Sequence, residues 1–256
     1  MTPLPPAFLS IPLAHRALHD RAQGRPENSL EAIRAAIKAG YGIEVDVQPS
    51  SDGVAMVFHD YDLKRLTGVA GAVSQRSAGD LGTLTLTGGA SGIPTLSQVL
   101  TQVAGRVPVL VELKDQDGAM GPAIGALETA VAEALRGYAG DVALMSFNPF
   151  SVAALAGLVP DRPRGLTTCA YRAEDWPLLP AATRDRLRDI PDFDAVDASF
   201  VSHNVSDLGN PAITALKSRK VPVLCWTVRS AQAEAEARKV ADNITFEGYA
   251  AALPGA

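Results

Sequence analysis

The chain has 256 residues, of which 47% are hydrophobic and 5% aromatic, and carries a formal charge of -5 from 23 basic and 28 acidic side chains. No run of Lys or Arg is present, so the electrostatic footprint of a nucleic-acid binder is missing. A chain of this length and aliphatic content can bury a large core, and it suits helices packed on an aliphatic sheet better than an aromatic-rich sandwich.

The opening segment MTPLPPAFLSIPLAHR has neither the basic start nor the apolar run of a secretory signal, and no stretch approaches the ~20 apolar residues of a membrane span. A cytoplasmic protein without stable membrane insertion is expected. Strands are predicted at 10–15, 42–47, 55–59, 107–113, 142–147, 164–169, 195–199, 221–227 and 243–246, and helices at 29–39, 96–104, 121–136, 149–158, 181–189, 211–219 and 230–239. In the first helix Leu30, Ile33 and Ile37 recur on one face, Asn28 reads as the N-cap with Glu31 three residues on, and Gly40 stands where the helix should stop. Strands alternating with helices imply parallel pairing through helical crossovers. About eight such units in this length predict an α/β fold, a TIM (β/α)8 barrel forming a single domain over 1–256. An open doubly wound sheet is the rival, weakened by the lack of a GxGxxG after the first strand. Residues 60–94, rich in Gly, Ser and Thr, read as a short insertion over one barrel end, either functional or hiding short elements. Cys169 and Cys225 sit in apolar contexts and read as buried thiols of a reducing compartment, with a single disulfide left open.

Side chains two apart on a strand share a face, so Glu44 and Asp46 point together, their Cα atoms roughly 6–7 Å apart, while Ile43, Val45 and Val47 point to the helices. The acids then face into the barrel at the C-terminal end of a strand, where barrel active sites form. Like charges this close take up a proton or share a cation, and hard oxygen ligands suit one Mg²⁺ or Ca²⁺; a solvated acid pair is the plain alternative. Glu112 ends a strongly apolar strand and supplies a third carboxylate, with Lys114 on the same face, either as an anion's partner or as a local Glu–Lys pair. His15 and His59 directly follow apolar strands, whereas His19 and His203 lie in polar stretches and are expected at the surface. A histidine can act as acid or base near neutral pH, and Arg16 offers a fork matched to phosphate or carboxylate. Three carboxylates, a divalent cation, Arg16 and Lys114 sum to about +1, which a monoanionic phosphodiester would neutralise. No GxSxG competes as a nucleophile motif.

These residues carry a family likeness. His15-Arg16, Pro26-Glu27-Asn28-Ser29, Gly42-Ile43-Glu44-Val45-Asp46, His59-Asp60, Ile93-Pro94-Thr95-Leu96, Val111-Glu112-Leu113-Lys114 and Cys225-Trp226-Thr227-Val228, in this order, resemble the glycerophosphodiester phosphodiesterases. The resemblance spans nearly the whole chain. It implies a TIM barrel that hydrolyses a small-molecule glycerophosphodiester to glycerol 3-phosphate and an alcohol. It also implies Glu44, Asp46 and Glu112 as ligands of Mg²⁺ or Ca²⁺, His15 and His59 as general acid and base, Arg16 and Lys114 as phosphate binders, Trp226 at the pocket wall and Glu27 in support. Ala17 stands where the family usually has Gly, and since Ala resists a positive φ, that loop is expected to turn differently. The 60–94 insertion is short for the family's cap, which implies a more open pocket. Two rival functions remain, a phospholipase D-like enzyme acting on lysolipids and a non-catalytic barrel that binds phosphometabolites. Oligomeric state and the preferred alcohol are not legible.

Overall fold

The computed structural model describes residues 1–254. Near the N-terminus a single helical turn, α1 (Ala7–Ser10), precedes a two-residue strand, β1 (Leu13–Ala14). The strand expected over 10–15 is this short because residues 7–10 are helical and Pro12 has no N–H to give a ladder. After α2 (Leu30–Ala39) come β2 (Gly42–Pro49) and β3 (Ala55–Val57), then α3 (Lys64–Thr67), α4 (Ala78–Thr83) and α5 (Leu96–Val103). Strand and helix then alternate as β4 (Val109–Leu113), α6 (Ala126–Ala134), β5 (Val142–Ser146), α7 (Pro149–Leu158), β6 (Arg164–Thr168), α8 (Ala181–Arg188), β7 (Phe200–Asn204), α9 (Pro211–Ser218), β8 (Val223–Val228), α10 (Ala231–Ala237) and β9 (Asn243–Phe246).

Every strand but β3 runs parallel to its neighbours, and β1 pairs with both β2 and β9, which closes the sheet. The result is the expected (β/α)8 barrel, with β3 folded back antiparallel on the end of β2. Ile43, Val45, Val47, Val109, Val111 and Leu113 join the helices in the main core. Leu13, Leu110, Ala143, Phe200 and Leu224 fill the barrel floor. Burying each Val, Leu, Ile or Phe among these stabilises the fold by about 1.5–3 kcal/mol, so the aliphatic face of each strand fixes which residues are left to point inward. Gly165 on β6 is required by the floor: a Cβ there would lie 2.6 Å from the Phe200 ring.

The structure corrects several expectations. No strand lies at 195–199; that segment is a turn, and the strand follows at Phe200–Asn204. Its run Ser202-His203-Asn204 hid it, because these polar residues read as a solvated stretch although Ser202 and His203 are buried. His203 is fully buried, not at the surface, with Nδ1 2.7 Å from Thr168 Oγ1 and Nε2 3.1 Å from Asp207 Oδ2. The helix expected from 121 starts at Ala126, after Gly125 at φ +129°. The N-cap of α2 is Ser29, whose side chain accepts from Ala32 N, and not Asn28. The 60–94 segment does hold short elements, α3 and α4, around a small core of its own that includes Phe58, Leu63, Leu66, Leu81 and Ile93. Both cysteines are buried and free, burial pushing the Cys169 thiol up to about 11 and that of Cys225 up to about 12.

Candidate active site

β2 and β4 set the centre of the site. They pair in register with Asp46 beside Glu112, and Glu44 lies two residues back on the same inward face. All three carboxylates are buried, and one oxygen from each lies within 4.8 Å of the others. Lys114, just past β4, reaches back over its own strand, its Nζ donating to Glu112 Oε1 at 2.6 Å and Asp46 Oδ1 at 2.8 Å. Burial would lower the Lys114 pKa, but the Asp46 and Glu112 charges raise it, so the ammonium stays charged.

The loop after β1 wraps the other side of the carboxylates. Arg16 and Ala17 are both left-handed, at φ +50° and +65°. Ala17 therefore makes the turn a glycine would have made, contrary to expectation, at the usual steric cost of about 1–2 kcal/mol for a residue with a Cβ. The turn aims the Arg16 N–H at Glu44 Oε2, 2.8 Å away, and the Ala17 N–H at the Glu44 carbonyl, 3.0 Å away. The Arg16 side chain donates from Nη1 to Glu27 Oε1 at 2.8 Å, and its Nε lies 3.7 Å from Asp46 Oδ2. Asn28, left free by Ser29 to adopt φ +58°, donates from Nδ2 to Asp46 Oδ2 at 3.0 Å and accepts from Asp46 N at Oδ1.

Each strand-end histidine has its own carboxylate. His15 Nδ1 lies 2.6 Å from Glu247 Oε2, just beyond β9. His59 Nδ1 lies 2.8 Å from Asp60 Oδ1. These bonds leave the opposite ring nitrogen, Nε2, as the one not engaged by a carboxylate. Buried Gln48 on β2 secures the His59 turn by donating from Nε2 to the carbonyls of Phe58, His59 and Asp60. His19 is not at the surface either; it is half-buried with Nε2 3.5 Å from Glu247 Oε2.

The charges divide unevenly. Burial, then the neighbouring Asp46 and Glu112, raises the Glu44 pKa well above the usual carboxylate range. Burial acts the same way on Asp46, but Lys114, His59 and Arg16 outweigh it and hold Asp46 far below that range. Burial lowers the His15 pKa, and its bond to Glu247 offsets only part of this. A raised Glu44 beside two other buried acids marks a place with one negative charge too many. Two oxygens bound to one Ca²⁺ at about 2.4 Å can be at most about 4.8 Å apart. The cluster meets that limit, so its donor set fits a divalent cation.

His15, Arg16, Glu44, Asp46, His59, Glu112 and Lys114 line a cavity of about 710 Å³. An aromatic cluster also lines it, the Phe147 ring lying 5.0 Å from that of Trp176 and 5.6 Å from that of Trp226, with charged Arg172, Asp175 and Arg229 in the same wall. Trp226 thus stands in the wall, as expected, its Nε1 donating to Ser202 O. Of the insertion, only Asp60 and Tyr61 line the cavity. All eight residues picked out by sequence therefore border one space: His15, Arg16, Glu44, Asp46, His59, Glu112, Lys114 and Trp226. Sequence reading missed Glu247, which directly follows a strand, as His15 does, but a half-polar one, Asn243-Ile244-Thr245-Phe246. It also missed Asn28 as a partner of Asp46, and Arg65, which bonds both Glu27 and Asp60.

A family model described as "Glycerophosphoryl diester phosphodiesterase family" matches residues 15–244, ending just before Glu247. A Mycobacterium tuberculosis protein named "Probable glycerophosphodiester phosphodiesterase 2" is 39% identical over 92 residues, a stretch covering 36% of this chain and 34% of that protein's length. An Oleispira antarctica phosphodiesterase, solved in complex with the product sn-glycerol-3-phosphate, superposes with a TM-score of 0.75 at 22% identity, covering 94% of each chain. A glycerophosphodiester phosphodiesterase from Agrobacterium tumefaciens gives a TM-score of 0.66 at 22% identity, covering 96% of each chain. At these identities the two structures speak for the shared fold. Among the described residues no helix is long and apolar enough to cross a membrane.

Proposed function

The chain belongs to the glycerophosphoryl diester phosphodiesterase family, and from that premise we propose that it hydrolyses glycerophosphodiesters to glycerol 3-phosphate and an alcohol. The observation that carries this reading is the pair of histidines, each tied by Nδ1 to its own carboxylate, beside three clustered buried acids. The glycerol 3-phosphate bound to the Oleispira enzyme supports the same product here.

In this reading Arg16 and Lys114 hold the phosphoryl oxygens and offset charge as it builds. One of His15 and His59 takes a proton from the nucleophile, which is water or the glycerol 2-hydroxyl in a cyclic-phosphate route. The new P–O bond forms as the P–O bond to the leaving alcohol breaks, and the other histidine gives that oxygen its proton; in the cyclic-phosphate route a water then adds at phosphorus as the bond from phosphorus to the glycerol 2-oxygen breaks, which opens the ring to glycerol 3-phosphate. Glu44, Asp46 and Glu112 would hold one divalent cation, Mg²⁺ or Ca²⁺, which when bound draws electron density from a phosphoryl oxygen. Trp226 and its aromatic neighbours form the wall against which the alcohol portion rests. The chain acts as one barrel domain over 1–256 with the 60–94 insertion as part of it, and the cytoplasm is the proposed compartment, supported by the two buried free thiols.

The test is release of glycerol 3-phosphate from glycerophosphocholine, with lysophosphatidylcholine as a parallel substrate. His15→Ala and His59→Ala should each lower turnover by about 10²–10⁴ with folding intact. A chelator should abolish it, and added Mg²⁺ or Ca²⁺ should restore it. Turnover indifferent to chelation removes the cation from the account. Near-parent rates in both histidine variants remove the acid–base pair, and preference for the lysolipid replaces the substrate.

A further inference from the structure

Arg65 is the one residue of the insertion that reaches both halves of the polar machinery without lining the cavity. On one side its Nε donates to Asp60 Oδ2 at 2.5 Å and its Nη2 to Asp60 Oδ1 at 2.8 Å. On the other, Nη1 donates to Glu27 Oε2 at 2.9 Å and Nη2 to Glu27 Oε1 at 2.8 Å. Each carboxylate passes the restraint inward. The same Asp60 Oδ1 bonds His59 Nδ1 at 2.8 Å, and the same Glu27 Oε1 accepts from Arg16 Nη1 at 2.8 Å.

We propose that Arg65 is a positioning residue that orients His59 through Asp60 and Arg16 through Glu27, so that the insertion serves the reaction by where it is anchored. The inference rests on the roles given above to His59 and Arg16. A guanidinium suits the task better than an ammonium. Its planar fork can engage two carboxylates bidentately, whereas a lysine offers one compact charge. The fork is also held in place. α3, which carries Arg65, is anchored by Leu63 just before it and Leu66 within it, both packed into the insertion's own core, and the Thr87 N–H closes on the Leu66 carbonyl at 2.7 Å. Burial would raise the pKa of both acids, yet their hydrogen bonds keep Asp60 and Glu27 below the usual range and so ionised. Arg65 itself is 48% exposed, so its removal leaves no cavity in the core.

The experiment measures kcat, KM and melting temperature for Arg65→Ala and Arg65→Lys in three backgrounds: parent, Asp60→Asn and Glu27→Gln. In the parent, Arg65→Ala should lower kcat and raise KM, each by about tenfold, as expected for coupled neighbours. Arg65→Lys should recover part of both losses. In the Asp60→Asn background the kcat effect should vanish and the KM effect remain; in Glu27→Gln the reverse should hold. A structural role alone would move all backgrounds equally. Equal losses throughout, or parent-like kinetics for Arg65→Ala, overturn the proposal. A parent enzyme inactive on glycerophosphodiesters, or a His59→Ala variant at full rate, overturns the underlying reading instead, and the two failures are told apart by those control arms. Arg65→Lys keeps the test decisive should Arg65→Ala not fold.

Discussion

Glu247→Gln separates the two histidines by pH. Burial depresses the His15 pKa, and the 2.6 Å bond to the Glu247 carboxylate restores part of what burial removes. The bond to His15 leads the effects that hold the Glu247 pKa far below the usual range, so the acid is ionised throughout the working range. A glutamine keeps an acceptor oxygen at the same place but removes the charge. A charge-assisted hydrogen bond contributes about 1.5–3 kcal/mol and a neutral one about 0.5–1.5, so the loss is about 1–1.5 kcal/mol, or roughly one pH unit. Arg229 shares Glu247 from the solvent side at 65% exposure, which screens its part of the effect. The His15 pKa must fall, since the charge removed was raising it. If His15 works protonated, the alkaline limb of the kcat/KM profile moves about one unit to lower pH and the rate at neutral pH drops toward tenfold. If His15 works neutral, the acidic limb moves down instead and the neutral rate changes little. The assay is the kcat/KM profile of the variant against the parent on one glycerophosphodiester. Two unmoved limbs would refute the claim that Glu247 sets the charge of His15.

Two further substitutions test the frame that carries the site. His203→Ala removes the bonds to Thr168 and Asp207 inside a fully buried space and leaves the Thr168 hydroxyl without its partner. It should destabilise the fold by about 2–3 kcal/mol and lower the melting temperature by roughly 5–10 °C, with turnover per folded molecule unchanged; a melting temperature within about 1 °C of the parent refutes it. Gly165→Ala should cost about 1–3 kcal/mol through contact with the Phe200 ring. Adding Phe200→Leu should recover part of the loss in denaturant midpoint, and a double variant no better than the single one places the strain elsewhere.

The barrel was legible because its signals are local. Apolar alternation on β2 and β4 fixed which way Glu44, Asp46 and Glu112 point, and strand ends fixed where they lie. Bonds between distant segments left no such trace. His15 and Glu247 are 232 residues apart, and nothing in hydropathy joins them. Asn28 looked like a cap because its chemistry suits one; Ser29 took that place, and the amide went to Asp46, 18 residues on. His203 misled for the opposite reason. A polar residue in a polar stretch reads as solvated, yet its partners Thr168 and Asp207 come from the strand beside it and the turn after it. Ala17 shows that a propensity rule can be overruled. The two hydrogen bonds its N–H makes, to Ala14 O and Glu44 O, hold it at φ +65° despite the Cβ.

The polar residues form three nested layers, and their order indicates where added positive charge belongs. Outermost are the acids Glu27, Asp60 and Glu247, each hydrogen-bonded by a side chain nearer the centre or by an arginine, and each with its pKa lowered. Inside them stand Arg16, His59 and His15, which those acids hold in place. At the centre lie Glu44, Asp46 and Glu112. Lys114 serves Asp46 and Glu112, while Glu44 receives only backbone help from Arg16. The consequence is local: Asp46 is driven to its charged form and Glu44 away from it. Replacing Glu44 by Gln would relieve the repulsion and leave the outer layers intact, but it would also take one carboxylate from the cluster proposed to hold the cation. Glu44, the one of the three acids without a side-chain cation bonded to it, is therefore where the proposed divalent ion would add most.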